Sequence, residues 1–254
     1  MSVAILEEFD KDIDAAYKEN NQSKIEKETF TILSTVAMFM MELFKDRLKR
    51  VVPDINHLDF NKSFITSEKN HEALLHWLKQ IDTITNGSVE DIEFGKFKVD
   101  FEKWFYEIGG TNIQFEYHDS YLITPGEAAE QLGVSTVTIN NYVKRGFEYM
   151  NHRSHRRIPK HMIPLWKDPV YSIKIQMMYQ QQKLLHQKPE ERLKEVMEEI
   201  LSFQIKYQAG TVKKAIKEVD GDKPDLLTDY YEWESLEEER QELEEQVFGE
   251  QTGG

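Results

Sequence analysis

The stretch Leu122-Ile123-Thr124-Pro125-Gly126-Glu127-Ala128-Ala129-Glu130-Gln131-Leu132-Gly133-Val134-Ser135-Thr136-Val137-Thr138-Ile139-Asn140-Asn141-Tyr142-Val143-Lys144-Arg145-Gly146-Phe147 decides the fold. Thr124 is placed to cap a helix, Pro125 suits its first position, and Glu127 completes a Thr-x-x-Glu capping box. Ala128, Ala129 and Leu132 follow at helical spacing, Gly133 permits a tight turn, and Ser135 caps a second helix. On that helix Ile139, Tyr142 and Val143 share one face, while Val137, Asn140, Asn141 and Lys144 share the other, and Gly146 closes it. Two short helices joined by a glycine turn, the second with an apolar back and a polar front, form a helix-turn-helix.

Charge points to the same place. From Lys144 to Lys167 there are seven Lys or Arg against one acid, Glu148, a local charge of +6 in a chain of net charge −14. A basic island in an acidic chain is the electrostatic footprint of a surface that faces phosphates.

Thr124-Pro125-Gly126-Glu127-Ala128-Ala129, Leu132-Gly133-Val134-Ser135, Thr138-Ile139, Arg145-Gly146 and Arg157-Ile158-Pro159 resemble the DNA-binding domain of the excisionase and MerR-like group of winged helix-turn-helix proteins. The resemblance covers about 45 of the 254 residues. Its motifs are specific for the fold and silent on the DNA sequence read. One departure is the expected wing turn, Asn151-His152-Arg153-Ser154-His155, which lacks the glycine such wings often carry. The resemblance implies a double-stranded DNA surface built from Ser135, Thr136, Val137, Asn140, Asn141, Lys144, Arg145, Arg153, His155, Arg156, Arg157 and Lys160. Thr136, Asn140 and Asn141 are expected at base edges, where asparagine pairs bidentately with adenine. Lys144, Arg145 and the wing arginines are expected on phosphates or in the minor groove.

The chain is long enough for a sizeable core, 39% hydrophobic and 31% charged, which fits a helix-rich globular protein. It has no cysteine, so disulfides, thiolate metal sites and cysteine nucleophiles are excluded. With no signal peptide and no long apolar span, the cytoplasm is the expected location. The acidic balance argues against a protein that coats nucleic acid over its whole surface, and fits a local basic module attached to acidic interaction surfaces.

The expected architecture is mainly α, in three parts. Residues 1–110 read as a helical domain for sensing, docking or oligomerisation, 111–168 as the winged helix-turn-helix, and 169–254 as helices with an acidic interaction region. In the first part, helices are expected over residues 2–19 (Leu6, Phe9, Ile13, Tyr17), 24–50 (Leu33, Val36, Met40, Phe44), from Thr66 or Ser67 (Leu74, Trp77, Leu78, Ile81) and 96–108 (Phe97, Phe101, Trp104, Phe105). The segment from Val51 to Phe64 reads as a connection, and Asn86-Gly87 as a turn. Phe30 to Met41 carries no charge but is too short to span a bilayer, so it reads as a buried helix or an oligomer interface. Aromatic stripes here read as core.

Ile113, Phe115 and Tyr117 alternate with polar residues and predict a strand, with the wing as its expected partner. After Pro169 a helix repeats Val170, Ile173, Met177, Gln180 and Leu184, and after Pro189 another repeats Leu193, Val196, Ile200, Phe203 and Tyr207, both in heptad-like order. Thr211 caps a short helix to Val219, and Ser235 with Glu238 forms a capping box for a last one. Gln251 to Gly254 reads as disordered. Glu218 to Glu245 carries 13 acids against Lys223 and Arg240, a charge of −11. Tyr230, Tyr231 and Trp233 within it are expected as exposed anchors for a protein partner.

No phosphate-cradling glycine loop, no Gly-x-Ser-x-Gly and no His-Glu-x-x-His is present, and no enzyme and no cofactor are expected. His152, His155 and His161 cluster among arginines rather than carboxylates, which favours groove or phosphate contacts over a metal. The expected function is sequence-specific binding of double-stranded DNA, with transcriptional repression as its expected use and a homo-oligomer as its form. The alternative is an antitoxin-like or phage or plasmid accessory protein whose acidic C-terminal region binds a basic protein partner. An excisionase-like architectural factor is a third reading, opposed by the chain's length.

Overall fold

A computed structural model describes residues 3–84, 89–152, 155–216 and 224–249. The turn at Asn86-Gly87, Arg153 and Ser154 of the wing turn, the stretch from Lys217 to Lys223 and Gln251 to Gly254 lie outside the described residues. The protein is mainly helical, 72% helix and 9% strand, with small antiparallel sheets. It divides into two compact units, residues 1–180 and 181–254. Among the described residues no helix is long and apolar enough to cross a membrane.

The first unit begins with helices α1 (Val3–Lys18) and α2 (Gln22–Leu43). Asn21 caps α2, its side-chain oxygen accepting from the Lys24 N–H. Leu33, Val36, Met40 and Phe44 are fully buried, as their spacing predicts, whereas Phe30 and Met38 of the same uncharged run are exposed. The second helix ends at Leu43, not Arg50, and the chain turns into strand β1 (Leu48–Pro53). Short helix α3 (Lys62–Ile65), α4 (Glu68–Ile84) and α5 (Asp91–Glu107) follow. Helix α5 starts five residues before the expected Lys96, because Glu90 and Glu93 form a reciprocal capping box.

Strand β2 (Ile113–Tyr117) pairs antiparallel with β1, from Pro53 opposite Ile113 to Leu48 opposite Tyr117. The expected pairing of this strand with the wing is therefore corrected: its partner is the segment read from sequence as helix end and connection. Ile113, Phe115 and Tyr117 face a core shared with α1, α2, α4 and α5. Within it Trp77 meets Phe97, Phe101 and Trp104 at 5.2–5.8 Å. Fully buried Asn70 is satisfied there: its amide nitrogen donates to the Tyr17 hydroxyl and the Ile65 carbonyl, and its oxygen accepts from Trp104 Nε1–H at 2.9 Å.

A second core lies under strand β3 (Leu122–Ile123), helices α6 (Pro125–Leu132) and α7 (Thr136–Val143), strands β4 (Met150–His152) and β5 (His155–Pro159), and helix α8 (Met162–Lys167). The strands form one sheet in the order β3-β5-β4, all antiparallel. Ile123, Ala128, Ala129, Ile139, Phe147, Ile158, Ile163 and Leu165 fill the space between sheet and helices. Helix α9 (Pro169–His186) adds Ile175 to this core. Of its heptad-like positions, Val170, Ile173, Met177 and Leu184 are all exposed.

Helix α5 serves both cores. Phe94, Phe97, Phe101 and Phe105 belong to the first, and Val99 to the second. Gly95 makes the close approach feasible, since a Cβ there would stand 2.7 Å from Leu165 Cδ1 and 3.2 Å from His161 Cβ.

The second unit packs α10 (Pro189–Tyr207), α11 (Val212–Ile216) and α12 (Pro224–Gly249) around Leu193, Val196, Ile200, Trp233, Leu236 and Leu243. Helices α10 and α12 run antiparallel: Arg192 pairs with Glu239 and Lys206 with Asp229, so numbers rise along one as they fall along the other. The last helix starts at Pro224, not at Ser235, which sits in mid-helix.

Candidate functional site

Local signals build α6 and α7 as their sequence dictates. The Glu127 N–H donates to Thr124 Oγ1 at 3.2 Å, and the Glu127 carboxylate accepts from the Thr124 N–H at 2.7 Å. Those bonds hold the Glu127 carboxyl below its usual range, with Arg157 and Lys160 adding to the effect. Gly133 adopts the left-handed conformation (φ +70°) that ends α6 and turns the chain. The Thr138 N–H donates to Ser135 Oγ at 3.1 Å, so Ser135 caps α7.

With Ile139 buried, α7 presents Thr136, Val137, Asn140 and Asn141 to solvent, and Ser135 is exposed at its start. Lys144 and Arg145, just past the helix, are exposed too. On β5 the exposure runs His155 and Arg156 out, Arg157 half-buried, Ile158 and Pro159 in, and Lys160 is exposed beyond the strand. The hairpin is tied to α7 by Arg156, whose Nη1–H donates to Asn140 Oδ1 at 3.1 Å and whose guanidinium lies 4.9 Å from the centre of the Tyr149 ring. Helix α8 is tied to α6 by Lys167, whose ammonium donates to the Gln131 carbonyl at 2.9 Å.

Many other cations of the unit are ion-paired, although among the described residues exposed Lys11, Lys45, Arg50 and Lys62 are not. Arg47, Lys49, Lys69, Lys96, Lys98, Lys103 and Lys174 each sit on a carboxylate. Among the described residues Lys144, Arg145, Arg156, Arg157 and Lys160 have no carboxylate within ion-pair distance.

The acid counted against this basic island is turned inward. Glu148 faces the almost fully buried Lys98 of α5 at 3.1 Å, accepts from the Tyr117 hydroxyl at 2.9 Å and lies 3.3 Å from His161 Nε2. Lys98 also pairs with Glu102 at 2.9 Å. Burial alone would raise the Glu148 carboxyl, but Lys98 and the bonds from His161 and Tyr117 hold it down to about 2. The expectation that His161 contacts a groove or phosphate is corrected: it is 0% exposed, stacked against Tyr121 and edge-on to Phe94. Burial keeps its imidazole below the usual histidine range, so it is neutral near pH 7. Sequence reasoning missed this cluster because its members lie far apart in the chain. Only the Lys98–Glu102 spacing of four was legible.

In the second unit, two of the three aromatics expected as exposed anchors are core residues. Trp233 is 0% exposed and stacks on Phe203 and Tyr207, and Tyr230 is buried against Tyr207, while Tyr231 is 69% exposed. Their environment is apolar because they lie on a helix paired with α10, not in a loop before one.

Comparisons with known proteins found no matching family model, no matching curated protein and no matching solved structure.

Proposed function

We propose that residues 121–167 are a winged helix-turn-helix that binds double-stranded DNA sequence-specifically, and that the protein is a transcriptional repressor. The observation that carries this reading is the set of exposed or half-buried cations Lys144, Arg145, Arg156, Arg157 and Lys160. Among the described residues they have no carboxylate within ion-pair distance, and they flank a helix whose outer face offers Thr136, Asn140 and Asn141. A cation without an acid partner beside polar readers suits phosphates flanking a groove. In this reading α7 enters the major groove and the β4–β5 hairpin lies along the backbone. Selection from a pool of random duplexes tests it: enrichment of one sequence motif supports the reading, and recovery of an unenriched pool opposes it.

A homo-oligomer belongs to the same proposal. Within the first unit, helix α9 exposes Val170, Ile173 and Met177, and none of its exposed residues there is charged. An uncharged apolar face suits a second copy better than a charged partner in a chain of net charge −14. Sedimentation at micromolar concentration distinguishes this from a monomer of about 30 kDa.

One observation favours a second reading, a docking protein for a basic partner. Glu232, Glu234, Glu238, Glu242 and Glu245 on α12 are exposed and, among the described residues, have no cationic partner. Co-purification from cells at native expression level, read by mass spectrometry, separates the two through DNA carry-over and partner together.

A further inference from the structure

The hydrogen bond between Arg156 and Asn140 assigns different tasks to the two neighbouring asparagines of α7. A bidentate contact to adenine needs both amide heavy atoms of an asparagine on one base edge, the oxygen accepting from N6 and the nitrogen donating to N7. Asn140 turns its Oδ1 to the Arg156 guanidinium at 3.1 Å. The second lone pair of that oxygen can still accept from a base, but the bond to Arg156 fixes the orientation of the Asn140 amide, which is then not free to align both heavy atoms with a base edge. Asn141 is exposed, with no side-chain hydrogen bond among the described residues.

Arg156 is held from two sides. One of its five N–H donors is used on Asn140, and its guanidinium carbon lies over the Tyr149 ring, 4.9 Å from the ring centre. Among the described residues its other four donors have no hydrogen-bond partner. A long side chain fixed in this way loses less rotamer freedom when it meets a phosphate than an unrestrained one. Among the described residues Arg156 has no acid partner within ion-pair distance that would compete for those donors.

We propose that Asn140 is a positioning residue, holding Arg156 for the DNA backbone, and that Asn141 is the base-reading asparagine of the pair. The inference rests on the DNA-binding reading above. Both side chains are exposed, so truncating either removes no core packing. The test is a double-mutant cycle by fluorescence anisotropy with the full chain on a mixed-sequence duplex, together with selection of each variant on a random duplex pool. Arg156→Ala is expected to weaken mixed-sequence binding about three- to ten-fold as a phosphate contact is lost. Asn140→Ala is expected to weaken it by a similar factor, and the double variant no further than either single one. In the selection, Asn140→Ala retains the wild-type base preference and Asn141→Ala changes it. Losses that multiply in the double variant, or an Asn140→Ala that alters base preference while sparing mixed-sequence binding, overturn the inference. A wild-type protein that binds no duplex removes the DNA-binding reading itself, an outcome distinct from either.

Discussion

The ammonium of Lys98 on α5 stands 3.1 Å from the carboxylate of Glu148, which follows α7, and joins the aromatic helical core to the segment that carries the hairpin. Lys98 is 3% exposed and shares itself between Glu148 and Glu102. Removing one partner of a buried ion pair leaves the other uncompensated, which costs more than the pair itself contributes. Lys98→Met is therefore expected to destabilise the protein by about 3 kcal/mol in denaturant titration. Adding Glu102→Gln and Glu148→Gln should recover part of that loss. A Lys98→Met protein of wild-type stability would show that the cluster is not coupled.

Acid acts on the same cluster. His161, neutral in the fold because it is buried, faces Glu148, Lys98, Tyr117 and Tyr121, with Asp91 nearby. As pH falls below about 6.5 the unfolded chain takes up a proton that folded His161 refuses, so stability declines. Glu148, held near 2, contributes stability above its ordinary range that is lost as pH falls toward 2. Glu102, raised by burial, works in the opposite direction and masks part of the slope. In a Glu102→Gln background, stability should fall between about pH 7 and pH 5, and His161→Asn in that background should flatten the fall. Equal slopes with and without His161 would contradict this.

Gly95 sits where α5 and α8 meet. Gly95→Val forces new atoms against Leu165 and His161 in a filled core and is expected to cost about 2 kcal/mol or more, outweighing its gain in helix propensity. Thermal denaturation checks this, and an unchanged midpoint would mean that α8 shifts freely.

In the second unit, burial separates the three aromatics. Trp233→Ala is expected to destabilise by about 3–5 kcal/mol, whereas Tyr231→Ala should lie within about 0.5 kcal/mol of wild type. The comparison reads which of these side chains is core and which remains available on the surface.

The parts legible in the sequence were those set by local chemistry. Thr124 with Glu127, Gly133 and Ser135 fix α6, the turn and α7 within a dozen residues, and the structure forms each of those bonds. Strand β1 was not legible, because Leu48 to Pro53 follows a helical stripe directly and becomes a strand only through a partner about sixty to seventy residues away. Periodicity revealed a stripe on α9 but not its direction: Ile175 packs inward while Val170, Ile173 and Met177 point out. Trp233 misled for a related reason, since an aromatic in an acidic run resembles an anchor until its helix is paired. Of the candidate site, the basic residues and the α7 face followed from pattern and charge. The inward turn of Glu148 and the Arg156–Asn140 bond depend on tertiary packing and leave no periodic trace.

The central claim, that the cations without carboxylate partners around α7 and β5 face DNA phosphates, is tested most directly by the salt dependence of duplex binding. With five such residues engaged, log K against log salt should fall with a slope of about −4 to −5 for each copy bound, and Lys144→Ala with Arg145→Ala should shrink that slope by about 2. No binding at low salt, or a slope that the double substitution leaves unchanged, would contradict the account.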